Sequence, residues 1–153
     1  MVQKSRFFDF FSVHDFDDEK LSVMYLPLFG SRVSAGFVSP ASDYIEERID
    51  LNRYLIRNPN ATFFAKVRGT SLENAGVWDG DLIVVDRSLV PKKDSILMCI
   101  VDGEFTLKFM RKDADGKTFL VPANPAFKEI QIQEGMDFEI WGVVLHLIRN
   151  VYK

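Results

Sequence analysis

The sequence predicts a mainly β fold: a β-rich domain with one short helix and an extended N-terminal arm. Three observations carry this. From Ala61 onward, seven short apolar runs alternate with clusters of turn residues, the punctuation of a chain built from strands. Only one stretch combines apolar spacing with a helix start signal. Residues 1–39 sustain neither the helical nor the strand period.

The arm comes first. Residues 1–39 carry clustered Phe, an acidic run from Asp15 to Glu19, and then small residues, Pro and Gly. Such a segment is expected to be extended and ordered only by docking, with the domain proper occupying 40–153. The helical stretch is "SDYIEERIDLNRYLIRNP". Asp43 and Glu46 have the spacing of a capping box; alternatively Asp50 caps a shorter helix over Leu51, Tyr54 and Leu55 that ends before Pro59.

The strand candidates follow: "TFFAKV" (62–67), "DLIVVDR" (81–87), "SILMCIV" (95–101), "EFTLKFMR" (104–111), "TFLVP" (118–122), "EIQIQ" (129–133) and "FEIWGVVLHLI" (138–148). Asp102-Gly103, between two of these runs, is a strong hairpin signal.

Composition narrows the function classes. A chain of 153 residues with 47% hydrophobic content can bury a single sizeable core. The net charge of −3 supplies no basic field, so no direct DNA binding is expected. Cys99 is the single cysteine, which excludes an internal disulfide and fits a reducing compartment. One Cys and two distant His, His14 and His146, make no zinc set, and no phosphate loop, dinucleotide fingerprint or calcium loop occurs. No metal or cofactor is therefore expected. Charged residues interrupt every apolar run of the first 30 positions, so neither a signal peptide nor a membrane anchor is predicted, and the expected location is cytoplasmic.

Three arrangements bear on chemistry. Ser71 lies in "FFAKVRGTSLENAGVWDGDLIVVDR" (63–87), and its simplest reading is a turn serine. A Ser-His-Asp triad lacks a base, because His146 sits within a strand run beside Val144 and Ile148 and His14 lies in the arm. Asp79 and Asp81 could form a carboxylate pair, but Asp79-Gly80 reads better as a turn entering a strand. The third arrangement pairs Ser71 with Lys108. In "EFTLKFMR", alternation puts Thr106, Lys108 and Met110 on one strand face and Phe105, Leu107 and Phe109 on the other.

The ordinary reading of Lys108 is an ammonium reaching water along its stem. As a base it would have to be neutral. At a free pKa of ~10.4 only about one lysine in a thousand is neutral near pH 7, a handicap of roughly 4 kcal/mol. Desolvation can lower a lysine pKa by ~3–5 units, so the base reading requires a largely apolar pocket beside the serine hydroxyl.

The segments "FFAKVRGTSLENAGVWDGDLIVVD" and "VDGEFTLKFM" resemble the LexA/UmuD family of self-cleaving serine–lysine proteases, and most nearly its UmuD branch. The resemblance extends upstream through "LPLFGSRVSAGFVSPASDYIEERIDLN" and downstream to "FEIWGVVLHLI", covering the chain from about Leu26 to near its end. It implies the β domain shared with signal peptidases. It also implies that Ser71 is the nucleophile, Lys108 the general base, and Ala35-Gly36 the scissile peptide. Thr70 and Leu72 depart from the Asp or Asn and the Met that the family commonly places around the serine. Only 35 residues precede the implied cleavage bond, too few for the helix-turn-helix domain of a repressor.

The resemblance further implies a homodimer in the bacterial cytoplasm. A RecA filament on single-stranded DNA would stimulate self-cleavage, and the product would join a UmuC-type translesion polymerase. "YLPLF" (25–29) is similar to a sliding-clamp-binding peptide, although its plainer reading is an apolar anchor for the arm. The alternative is a non-catalytic or trans-acting binding module of the same family that regulates transcription or polymerase access.

Overall fold

The computed structural model describes residues 24–29, 35 and 45–152. His14, Gly36 and Asp43 lie outside the described residues. The chain divides into two compact units, Met1–Tyr54 and Leu55–Lys153.

In the first unit, β1 (Leu26–Phe29) pairs antiparallel with β2 (Ile45–Ile49). Of the two helix starts the sequence offers, the later one is used. Residues around Glu46 are strand rather than helix because the segment pairs antiparallel with β1, the register shifting past Glu46 itself. The chain turns helical only after Asp50, whose Oδ1 accepts the Asn52 N–H at 3.0 Å while its carbonyl accepts the Tyr54 N–H at 3.0 Å. The resulting helix α1 (Leu51–Leu55) spans five residues and stops before Pro59. Tyr25, Leu26 and Leu28 of the "YLPLF" segment are exposed.

The second unit is a seven-stranded antiparallel sheet. Its strands are β3 (Thr62–Lys66), β4 (Leu82–Asp86), β5 (Leu97–Val101), β6 (Glu104–Lys112), β7 (Thr118–Val121), β8 (Ile130–Gln131) and β9 (Phe138–Ile148). The spatial order is β3-β4-β9-β5-β6-β7-β8, so the last strand in sequence inserts between β4 and β5. Each predicted run contributes one strand, and "EIQIQ" supplies only two residues of ladder. Asp102 (φ 50°) and Gly103 (φ 86°) turn β5 into β6 with both residues left-handed, as a two-residue type I′ hairpin requires.

The core gathers on Leu97, Cys99, Leu120 and Val143, with Leu89, Val101, Met110 and Ile140 packed around them. Strand β4 is buried nearly throughout, Ile83, Val84 and Val85 among the most enclosed side chains. At the centre of β9, Gly142 crosses β4 so closely that a Cβ there would lie 2.7 Å from Val85 Cγ1 and 3.0 Å from the Asp86 carbonyl oxygen.

Register shifts opposite Met98/Cys99 and Val84/Val85 leave Trp141 and Leu145 as bulges in β9. The period-two face that the sequence suggests for Val144, His146 and Ile148 is therefore broken, since an inserted residue reverses the alternation beyond it.

Candidate active site

Ser71 and Lys108 come together. Ser71 follows the end of β3, in the loop that leads through a 3₁₀ turn at Glu73–Ala75 into β4. Lys108 sits mid-strand in β6, opposite Leu97 of β5. Its Nζ lies 2.9 Å from Ser71 Oγ, although 37 positions separate the two residues in sequence. Nζ also lies 2.9 Å from Thr106 Oγ1 and 3.0 Å from the Leu107 carbonyl oxygen.

Lys108 is 7% exposed, so the ordinary expectation of an ammonium reaching water does not hold. Two things bury it: β6 is an interior strand, and alternation turns Lys108 away from the face bearing Phe105. Burial also sets its titration. Removal from water pushes the Lys108 amine below its ordinary value of 10.5. Cys99, wholly buried on the neighbouring strand, is driven the other way by desolvation, up to about 11. Near neutrality that thiol is uncharged and so does not hold the amine in its protonated form.

Three contacts surround Nζ, a set that suits an ammonium with three hydrogens and equally a neutral amine. An NH2 group has two hydrogens and one lone pair. Thr106 Oγ1 and the Leu107 carbonyl can accept the two hydrogens, leaving the lone pair for the Ser71 hydroxyl proton. Thr106 shares the face of Lys108 by alternation and was legible in the sequence as a neighbour, though not as a partner.

The loop around Ser71 is tied down from several directions. Ala123 N–H donates to the Ser71 carbonyl at 2.8 Å, Asn124 Nδ2 to the Thr70 carbonyl at 2.9 Å, and Asn74 N–H to the Ala123 carbonyl at 3.0 Å. Leu72 is 2% exposed and fills an apolar site beneath the serine, where the resemblance leads one to expect Met. Among the described residues no hydrogen bond uses the backbone N–H of Thr70 or Ser71. A cleft of about 240 Å³ opens beside Ser71, lined by Ala65, Val67, Met98, Phe105 and Leu107. Strand β3 runs along it and is an edge among the described strands, with one side of its backbone unpaired.

The other candidates serve different ends. His146 is a half-buried residue of β9 opposite Val84, and the amine at Ser71 belongs to Lys108. Asp79 and Asp81 do not form a carboxylate pair. Asp79 Oδ1 accepts the Gly69 N–H at 2.6 Å, while Asp81, 2% exposed, is engaged by Arg149. Both tie the serine loop to itself or to the end of β9, and pairs this distant in sequence leave no local signal. Ala35, on the amino side of the predicted cleavage bond, is an exposed bend residue. Among the described residues no cluster of three or more His, Cys, Asp or Glu could hold a metal ion, and no helix is long and apolar enough to cross a membrane.

Comparison with known proteins agrees with this architecture. Residues 27–145 match the family described as Peptidase S24-like. The chain is 44% identical over 124 residues to Protein SamA of Salmonella typhimurium, covering 81% of this chain and 85% of that protein. It is 43% identical over 124 residues to Protein ImpA of Escherichia coli, covering 81% and 83%. A LexA repressor from Paracidovorax citrulli is 35% identical over 130 residues, covering 85% of this chain and 57% of the repressor.

Proposed function

Because the chain belongs to the Peptidase S24-like family, as a UmuD-like member of its LexA/UmuD group, we propose that it is a self-cleaving serine endopeptidase of the bacterial DNA-damage response. Ser71 is the nucleophile, Lys108 the general base, and the Ala35-Gly36 peptide the bond cut. The observation that carries this reading is the 2.9 Å between Lys108 Nζ and Ser71 Oγ in a site that keeps the amine dry.

The chemistry follows from that contact. Ser71 Oγ attacks the Ala35 carbonyl carbon as its proton passes to the lone pair of Lys108 Nζ. The tetrahedral oxyanion takes hydrogen bonds from the Thr70 and Ser71 N–H groups, which have no other acceptor among the described residues. Collapse breaks the C–N bond, and the Lys108 ammonium returns its proton to the departing Gly36 nitrogen. Water, deprotonated in turn by Lys108, then hydrolyses the Ala35 ester and frees Ser71. The small residues Ala35 and Gly36 suit a peptide that must come close to a serine nucleophile.

In the cell the stimulus is a RecA filament on single-stranded DNA, and the shortened product serves a UmuC-type translesion polymerase as a homodimer in the cytoplasm. Loss of the arm changes which surface the body presents. Exposed apolar side chains at the end of β9 and beyond it, Leu147, Ile148, Val151 and Tyr152, supply surface for such partners. The exposed Tyr25, Leu26 and Leu28 keep a sliding clamp among the candidate partners of the arm.

The test is incubation of purified protein at mildly alkaline pH, with and without RecA filament, followed by product mass. Cleavage between Ala35 and Gly36 is expected. An intact chain under every condition would leave a binding module without catalysis. Mixing the Ser71→Ala chain with active protein reads cleavage in trans, through loss of the inactive partner's arm.

A further inference from the structure

We propose that Arg149 is a positioning residue for the Ser71 loop: its guanidinium cross-links Asp81 to the Gly76 carbonyl and so keeps the serine hydroxyl at Lys108. The inference rests on the dyad reading above for its consequence in catalysis, but on independent contacts for its geometry.

Arg149 is the first residue after β9. Its Nε donates to Asp81 Oδ1 at 2.6 Å, and its Nη2 donates both to Asp81 Oδ2 and to the Gly76 carbonyl, the latter at 2.7 Å. The guanidinium also lies 5.6 Å from the centre of the Trp78 ring. All these partners belong to residues 76–81, the limb by which the chain returns from Ser71 into β4. Asp81 Oδ2 in addition accepts the Trp78 N–H at 2.8 Å, so one buried carboxylate organises the return limb from within.

The return limb is linked to the serine limb rung by rung. Val67 N–H donates to the Asp81 carbonyl at 2.8 Å, Gly80 N–H to the Val67 carbonyl at 2.9 Å, and Gly69 N–H to Asp79 Oδ1 at 2.6 Å. Val77 N–H donates to the carbonyl of Leu72, the residue after the serine, at 3.2 Å. Leu72 and Val77 are both buried. A displacement of the return limb is thus passed directly to Ser71, while the segment at Ala123 and Asn124 holds the opposite side.

The chemistry calls for arginine. A planar fork can meet both carboxylate oxygens and still present an N–H to a third acceptor, whereas a lysine ammonium presents a single point charge. The hydrogen bonds from Arg149 hold the Asp81 carboxyl below the usual carboxylate range, so the link persists across neutral and alkaline conditions.

The experiment uses the full chain and three variants: Arg149→Ala, Arg149→Lys and Ser71→Ala. Cleavage rate is followed against pH below the melting onset of every protein, with and without methylguanidinium, and amide exchange of residues 71–77 is followed in parallel. Arg149→Ala is expected to slow cleavage about 100-fold, the cost of a misplaced reacting group. Its rate profile should shift to higher pH, because a loosened loop admits water to Lys108 and returns the amine toward its ordinary value. Methylguanidinium should restore cleavage in Arg149→Ala and do nothing for Ser71→Ala.

A folded Arg149→Ala chain that cleaves within about twofold of the parent overturns the proposal. So does a slowed chain with an unshifted profile and no rescue, which would mark a purely structural role. Should the alanine variant fail to fold, Arg149→Lys decides, since it keeps the charge but not the three-way link. Parent-like cleavage by the lysine variant overturns the proposal, and a slowed, upshifted profile supports it. A parent chain that never cleaves sinks the dyad reading, and exchange then judges the link: faster exchange over 71–77 upholds it and unchanged protection refutes it.

Discussion

Lys108 Nζ stands 2.9 Å from Ser71 Oγ, at the end of a side chain that leaves the middle of β6 and is 7% exposed. In the proposed mechanism these two atoms exchange a single proton, so neither residue acts alone. Ser71→Ala is expected to abolish self-cleavage, and Lys108→Ala to slow it by ~10²–10⁴. The double variant should be no slower than the worse single one. Product mass after incubation measures all three.

The rate should rise with pH. Below the folded pKa of Lys108, each unit of pH increases the neutral fraction about tenfold, and the rate follows until the amine is fully deprotonated. Desolvation lowers that pKa, so the plateau should arrive below the 10.5 of an exposed lysine. A profile still climbing at that value would mean that water reaches the amine.

Thr106 Oγ1, 2.9 Å from Nζ, accepts a hydrogen bond from the amine. Thr106→Val keeps the β-branched shape and removes the acceptor, so the amine loses one of the contacts that aim its lone pair. Cleavage should fall by roughly tenfold or more while the melting temperature changes little. Thr106→Ser, which keeps the hydroxyl, should restore most of the rate.

Stability carries two opposed alkaline signatures, best measured by urea unfolding in the uncleavable Ser71→Ala background. Lys108 is depressed in the fold, so the unfolded chain binds more protons from that depressed value up to 10.5, and stability rises with pH across this window. Cys99 is raised from 9.0 to about 11, so its contribution is present below 9.0 and is lost as pH climbs toward 11. Adding Cys99→Ala should remove the alkaline loss, and adding Lys108→Met should remove the rise.

Gly142→Ala tests the packing at the centre of the sheet. The new Cβ would sit 2.7 Å from Val85 Cγ1 and 3.0 Å from the Asp86 carbonyl oxygen, one a side-chain atom and the other backbone. Overpacking of this kind costs about 1–3 kcal/mol, read as a lower urea midpoint at an unchanged slope.

Much of this molecule was determined by its sequence alone. Seven apolar runs and their turn residues dictated seven strands, because backbone pairing and alternate burial are local demands that local residues can meet. The Asp102-Gly103 turn was legible for the same reason, and so was the shared face of Thr106 and Lys108. The start of the helix was not. Whether Ile45–Ile49 would be strand or helix depended on β1 being available to pair with it. The insertion of β9 between β4 and β5, its bulges at Trp141 and Leu145, and the link from Arg149 to Asp81 across 68 positions were decided by tertiary structure. The same holds for the dryness of the Lys108 amine. Residue types and spacing specify which groups can react, but a pKa and a 2.9 Å contact arise only when distant strands close around them and remove the water.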